Sequence, residues 1–238
     1  MVNDFEQIAS GIYLEGLAVD VERDLVWYSD VVAGGIHSVT RDGSIRSFYV
    51  DRMWTGGIML NRDGAALSSG QGGIAWNHPE TGRSGWLLQE IDGEPINGIN
   101  EMAPDGEGGI FFGTCDIEMV VQGRPTRPTT IYRLTADHQF IQLADGIHFA
   151  NGIAYDGQRR RFYCNDTFHC TWVFDVTADL ALTNKRLLLE KEDADGMAVD
   201  AEGTLWITGF QSGQLTRIAA DGSHLPPVET PARAVTQI

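Results

Sequence analysis

One pattern, written several times along the chain, restricts the fold more than anything else in the sequence. Glu15-Gly16-Leu17-Ala18-Val19-Asp20 is followed by Leu25-Val26-Trp27-Tyr28, and Asn151-Gly152-Ile153-Ala154-Tyr155-Asp156 by Arg161-Phe162-Tyr163. Asp195-Gly196-Met197-Ala198-Val199-Asp200 is followed in the same way by Leu205-Trp206-Ile207. Each copy places a side-chain oxygen before a glycine, then a short apolar strand, a turn, and a returning strand. That is the signature of a β-hairpin. The oxygen-bearing residue stands ten positions ahead of the returning strand in all three copies. Asn100 stands ten positions ahead of Ile110-Phe111-Phe112-Gly113-Thr114, and a weaker copy runs from Gly56-Gly57-Ile58 to Ala65-Ala66-Leu67-Ser68-Ser69. The glutamate and asparagine copies also share an aspartate fifteen positions on, Asp30 and Asp166.

The anchors therefore fall near 15, 56, 100, 151 and 195, with steps of 41, 44, 51 and 44 residues. Steps of this size are those of four-stranded propeller blades. The long step contains an irregular loop from Cys115 to Thr130 that carries Pro125 and Pro128. The second half of each repeat supplies further strands, among them Gly35–Val39, Thr130–Leu134, Trp172–Val176 and Gln214–Ile218. No segment of ten or more residues has helical periodicity, which excludes a TIM barrel or a Rossmann fold. Twenty-eight glycines against eight prolines fit a chain of many tight turns. The expectation is an all-β, six-bladed β-propeller occupying residues 1–238 as a single domain. Five repeats are complete and the sixth is incomplete, begun at Pro231–Ile238, with Phe5–Tyr13 available as an outer strand to close the ring. The missing strands are expected to mean either that this chain is a fragment of a longer protein or that the ring closes with fewer blades.

A formal net charge of −16 leaves no basic face to displace counterions from phosphates, and it disfavours anionic membranes. The expected partner is a small-molecule substrate, with no nucleic acid and no membrane; nothing in the sequence speaks to oligomeric state. Cys115, Cys164 and Cys170 lack the spacing of a zinc site or a disulfide framework. No apolar run approaches about 18 residues and the first residues do not read as a leader, so a cytoplasmic location is expected.

In a propeller, the residue at the mouth of each innermost strand faces the axis. If Glu15, Asn100, Asn151 and Asp195 share a register, their oxygens converge from different blades. A set of carboxylates and amide carbonyls suits calcium, magnesium or manganese. The competing reading is that Asn151-Gly152 and Asp195-Gly196 are ordinary tight turns. Glu15-Gly16 is not a favoured turn pair, yet it occupies the same position. Asn97-Gly98-Ile99 also matches the local pattern, but the count to the returning strand selects Asn100. His148 reads as a packed residue, and His169 beside Cys170 lacks a second pair at ligand spacing. No G-x-S-x-G elbow, P-loop or HExxH is present. Trp27, Trp206, Phe111 and Phe112 are expected to pack between blades.

Asp195-Gly196-Met197-Ala198-Val199-Asp200-Ala201-Glu202-Gly203-Thr204-Leu205-Trp206 closely resembles the "PDGMAVDAEGNLW" signature of the SMP-30/gluconolactonase/luciferin-regenerating-enzyme family. Leu14-Glu15-Gly16-Leu17 resembles its "GEGP" opening, Asn100 through Thr114 its "NDGxxDPxGRxWxGT" segment, and Phe149-Ala150-Asn151-Gly152 its "SNGL". The resemblance implies a six-bladed propeller holding one divalent cation, calcium first, with zinc, manganese or magnesium as alternatives. It implies Glu15, Asn151 and Asp195 as metal ligands, Asn100 as a contact to substrate or to a metal-held water, and Glu118 as a substrate contact. Three departures stand out: Gly98 where sugar-lactonase members often carry arginine, Asn100-Glu101 for Asn-Asp, and Leu17 for proline. The implied activity is metal-dependent hydrolysis of a lactone, with Asp195 as the base that activates water. The alternatives are a phosphotriesterase-like hydrolase on the same cation, with Asp195 as base or nucleophile, and a non-catalytic calcium-binding propeller.

Overall fold

In the computed structural model, which describes residues 5–238, the repeats become five four-stranded antiparallel sheets. The first contains β1 (Leu14–Asp20), β2 (Leu25–Asp30), β3 (Ile36–Thr40) and β4 (Ile45–Phe48). The second contains β5 (Thr55–Leu60), β6 (Ala66–Gly70), β7 (Ile74–Asn77) and β8 (Ser84–Leu88). A two-stranded ribbon, β9 (Glu90–Ile91) and β10 (Glu94–Pro95), leads to the third: β11 (Gly98–Pro104), β12 (Ile110–Cys115), β13 (Thr129–Leu134) and β14 (Phe140–Ile147). The fourth contains β15 (Ala150–Asp156), β16 (Arg161–Asp166), β17 (Cys170–Val176) and β18 (Leu182–Leu189). The fifth contains β19 (Ala194–Val199), β20 (Leu205–Gly209), β21 (Gln214–Ile218) and β22 (His224–Glu229). Strands follow chain order in every sheet, and β1, β5, β11, β15 and β19 pack side by side as the inner strands of a β-propeller.

Five four-stranded blades are present among the described residues, not six. Phe5–Tyr13 forms no strand, and neither does Pro231–Ile238. The latter stretch still occupies the place next to β19. The Thr236 carbonyl accepts from the Gly196 N–H at 2.8 Å and the Thr208 hydroxyl at 3.1 Å. The Thr236 hydroxyl donates to the Leu14 carbonyl at 2.5 Å, so these few residues link the fifth sheet to the first.

Apolar residues of alternating register fill the spaces between neighbouring sheets. Trp27 and Ile58 meet between the first two, Ile74 and Phe112 between the next two, Phe111 and Phe162 between the third and fourth. Tyr163 and Ile207 meet between the fourth and fifth. Trp206 departs from the expectation. Its neighbours Leu205 and Ile207 face the fourth sheet, so Trp206 points to the opposite side. There it is half-buried, with the Arg217 guanidinium 4.5 Å from its ring centroid. The loop after Cys115 holds a short helix, α1 (Ile117–Val121), too brief for periodicity to reveal; Asp116 caps it by accepting from the Met119 N–H.

All five inner strands share one irregularity. Register slips between Glu15 and Leu17, Thr55 and Ile58, Ile99 and Met102, Ala150 and Ile153, and Ala194 and Met197. Such a bulge re-aims a side chain that would otherwise lie between sheets. It also presses a carbonyl of one inner strand onto the backbone of the preceding one. A Cβ on Gly56 would stand 2.1 Å from the Asn100 carbonyl oxygen, and one on Gly152 would stand 2.3 Å from that of Asp195. Only hydrogen fits. Side chains of the second strands fasten the same carbonyls: Ser29 to Gly56 at 2.8 Å, Ser69 to Asn100 at 2.6 Å and Asn165 to Asp195 at 2.6 Å.

Gly56→Ala is expected to lower stability by about 1–3 kcal/mol, because backbone must move to admit the methyl. Gly157→Ala, whose Cβ would meet nothing closer than 3.5 Å, is expected to change stability by no more than about 0.5 kcal/mol. Urea midpoints at constant m-value measure both, and equal midpoints would show that the close approach is unimportant.

Candidate metal and ester-binding site

The bulges deliver their polar residues to one place. Glu15 from β1, Asn100 from β11, Asn151 from β15 and Asp195 from β19 line a single cavity of about 230 Å³ at the axis. Asn151 and Asp195 are almost fully buried, at 4% and 2% exposure. Asn97, the rival to Asn100, is engaged elsewhere: its side-chain oxygen accepts the Ile117 N–H at 2.8 Å and steadies α1. Glu118 lies on α1 beside Ile117 and Val120, which do line the cavity, but its own side chain is exposed and is not part of the lining.

A third acidic residue joins Glu15 and Asp195. The slip between Ile99 and Met102 leaves both Asn100 and Glu101 buried, and the Glu101 carboxyl accepts from the Gln237 side chain at 2.8 Å. The sequence contains the signal, since Glu101 follows Asn100 where the motif this segment resembles has Asn-Asp, but register alone selects only one residue of the pair. Gln237 had no signal, because it comes from outside the repeats.

Burial without a countercharge governs the electrostatics. Glu15 is pushed well above the carboxylate range, first by loss of solvent and then by the charges of Asp195 and Glu101. Glu101 rises to about 8 for the same first reason, with Asp195 adding to it and the Gln237 hydrogen bond opposing. Asp195 rises to about 7 through burial, while the adjacent Asn151 amide pulls it down and Asp193 pushes it up. One oxygen of Asp195, Oδ1, is buried with no hydrogen-bond partner. Among the described residues, no lysine, arginine or histidine lines the cavity. Buried carboxyls of this kind are normally neutralised by protons or by a cation, and an all-oxygen donor set fits a hard divalent ion. The residues present therefore suit the cation that the resemblance implies, and the orphaned Asp195 oxygen is where such an ion finds a free ligand.

Two repeated aspartates hold the rim. Asp30 accepts from the backbone N–H groups of Ile12, Tyr13, Val32 and Ala33, and Asp166 from those of His148 and Phe149. These bonds fix the segments entering β1 and β15, and with them Tyr13 and Phe149 at the cavity wall. His148 and His169, read from sequence as isolated, meet here. Their rings lie 4.5 Å apart, and with Asp166 they bring potential ligand atoms within 4.8 Å of one another. Linear spacing could not reveal the trio, since Asp166 and His169 come from one turn and His148 from the preceding segment. Among the described residues, no helix is long and apolar enough to cross a membrane.

Comparison with known proteins agrees with this architecture. The family model described as SMP-30/Gluconolactonase/LRE-like region matches residues 14–238. Regucalcin of Danio rerio is 30% identical over 161 residues, covering 65% of this chain and 54% of that protein. Pentonolactonase XacC of Haloferax volcanii is 24% identical over 230 residues, covering 91% of this chain and 73% of that one. The chain thus spans about half the length of the zebrafish protein and about three quarters of the archaeal one. The crystal structure of a calcium-binding protein, regucalcin, from Agrobacterium tumefaciens superposes with a TM-score of 0.82 at 18% identity, over 97% of this chain and 79% of that one. The match of the family model across nearly the whole chain, on a propeller whose inner strands carry the family's motifs, makes this protein a member of the SMP-30/gluconolactonase/LRE-like family.

Proposed function

We propose that the protein is a divalent-cation-dependent hydrolase that opens the ester of a lactone. One observation carries this reading: three carboxyl groups, with Glu101 and Asp195 buried and Glu15 half-buried, gather beside Asn100 and Asn151, and no cationic side chain of the described residues lines the cavity. The lactonase named among the relatives supports the ester as substrate, and the calcium-binding structural relative supports calcium as the ion. Glu15, Asn151 and Asp195 would hold the cation, and the charge of Glu101 would help to balance it. When bound, such an ion polarises an ester carbonyl and stabilises the negative charge that grows on its oxygen.

The chain's own groups supply the rest. Asp195 accepts, on the carboxylate oxygen that the ion would leave free, a proton from the water that attacks the carbonyl carbon. The C–O bond of the ring then breaks, and the proton returns from Asp195 to the departing ring oxygen, giving a hydroxy acid. Asn151 beside Asp195 limits how the carboxyl turns, and the Asn100 amide orients the ring by donating to an ester oxygen. The apolar wall of the cavity limits stray water.

Two measurements test this. A pH-indicator assay on δ-lactones should lose activity by about 100-fold or more on chelation, and likewise with Asp195→Asn. Turnover that survives both would remove Asp195 and the ion from the reaction, while ion-dependent stabilisation without turnover would favour a binding protein.

The second concerns pH. The raised carboxyls make the ion-free folded state bind protons that the unfolded chain, with acidic pKa values near 4, has already released. Their contribution is therefore intact at low pH and is lost as pH rises through about 7 and about 8. Thermal melts of chelator-treated protein should fall between about pH 5 and about pH 8.5, and added calcium should raise Tm more at the upper end. Glu101→Gln should flatten the slope; an unchanged slope would show that the acidic cluster does not govern it.

A further inference from the structure

We infer that the cavity selects lactones carrying an aryl substituent in preference to polyhydroxylated sugar lactones. This rests on the lactonase reading above and concerns the walls of the cavity, not its floor. Above the oxygens of the inner strands, the wall is apolar from one sheet to the next. Val31 and Val32 come from the turn after β2, Trp54 from the crossing to the second sheet, Ile117 and Val120 from α1. Phe149, Phe168 and Phe210 continue it across the fourth and fifth sheets.

The three phenylalanines form a connected face. Phe149 and Phe168 stack with centroids 6.2 Å apart, and Phe168 meets Phe210 edge-on at 5.9 Å. Phe168 remains half exposed, so folding alone does not use its ring. Two of the wall aromatics are also held in the left-handed backbone region, Phe168 at φ 73° and Trp54 at φ 54°. Bulky residues avoid that region unless their surroundings impose it. Here backbone bonds impose it: the Phe168 N–H donates to the Glu192 carbonyl at 2.8 Å, and the Trp54 N–H to that of Val31 at 2.9 Å. The chain thus fixes large aromatic surfaces, partly in water, around a buried polar floor.

A polyhydroxylated ring entering this space would shed water from its hydroxyls and find few replacements. Of the two wall hydroxyls, that of Thr167 is spent on the Ala194 carbonyl at 2.6 Å, which leaves that of Tyr13. Asn97, near the rim, is committed to α1, and position 98 is glycine. An aryl group, by contrast, would lie against Phe168 and Phe210 and bury surface that is now wet.

The test compares three lactones of one ring size on the calcium-supplied full chain: δ-valerolactone, its δ-phenyl derivative and D-glucono-δ-lactone. The expected kcat/KM for the phenyl derivative is about tenfold or more above that for the sugar lactone. Phe168→Ala should reduce the preference for the phenyl derivative over δ-valerolactone by about fivefold, acting mainly on KM. A sugar lactone turned over best would overturn the inference and leave the lactonase reading standing. If no lactone is hydrolysed, that reading fails, and titration with the phenyl derivative decides the inference separately. Saturable quenching of tryptophan emission, lost in Trp54→Phe and weakened in Phe168→Ala, would uphold the aryl-binding wall, and absence of saturable binding would overturn it.

Discussion

The structure turns on a backbone contact repeated around the axis, in which a carbonyl of one bulged inner strand is driven against the preceding inner strand. The contact leaves no room for a Cβ at Gly16, Gly56 or Gly152, each of which would bring one within 2.3 Å of a carbonyl oxygen. It is sealed by hydroxyl or amide donors from the adjacent second strand, at Ser29, Ser69 and Asn165. Thr236 receives the equivalent bonds from Gly196 and Thr208, so a stretch that forms no sheet of its own still occupies the next station. The same bulge that brings the sheets together turns the neighbouring polar residue toward the axis. Assembly and site are therefore one geometric event.

That coupling explains why so much charge can be buried in an acidic protein. Glu15, Glu101 and Asp195 are placed by backbone geometry, not by favourable contacts of their own carboxyls, and their raised proton affinities record the resulting penalty. Asp30 and Asp166 make the contrast plain. They are as buried as Asp195, yet their oxygens accept from backbone N–H donors, and Asp30 is held below the usual range by four such bonds despite its burial. One set of aspartates is satisfied and structural. The cavity set, two glutamates and one aspartate, has few partners, with one Asp195 oxygen left without any, which is the condition expected of groups that act on something from outside the chain.

The sequence revealed the five inner strands to within about two residues, because the hairpin from bulge to returning strand has a nearly constant length. The same constancy selected Asn100 over Asn97 as the cavity residue, where the local Asn-Gly signal pointed the wrong way. What escaped lacks such a ruler. Glu101 was hidden because a bulge can bury two consecutive side chains, and a period-two count permits only one. The meeting of His148 with His169, and that of Gln237 with Glu101, depend on turns and on a segment outside the repeats. Phe5–Tyr13 had strand-like composition but gained no strand partner, which composition cannot foresee. Trp206 was assigned to a space between sheets because its hairpin looks like the others; alternation puts it on the face turned away from the fourth sheet.

Floor and wall of the cavity consequently answer to different parts of the sequence. The floor comes from the bulges, where a change of residue would disturb the contact between sheets as well as the chemistry. The wall comes from residues that precede the inner strands, such as Tyr13, Trp54 and Phe149, from the turn holding Phe168, and from α1. Those positions are held by backbone bonds: Asp30 fixes the backbone of Tyr13 and Asp166 that of Phe149 whatever their side chains. Their identity can therefore change without loosening the ring. A propeller built in this way can keep the polar floor that its bulges set while the residues of its wall change.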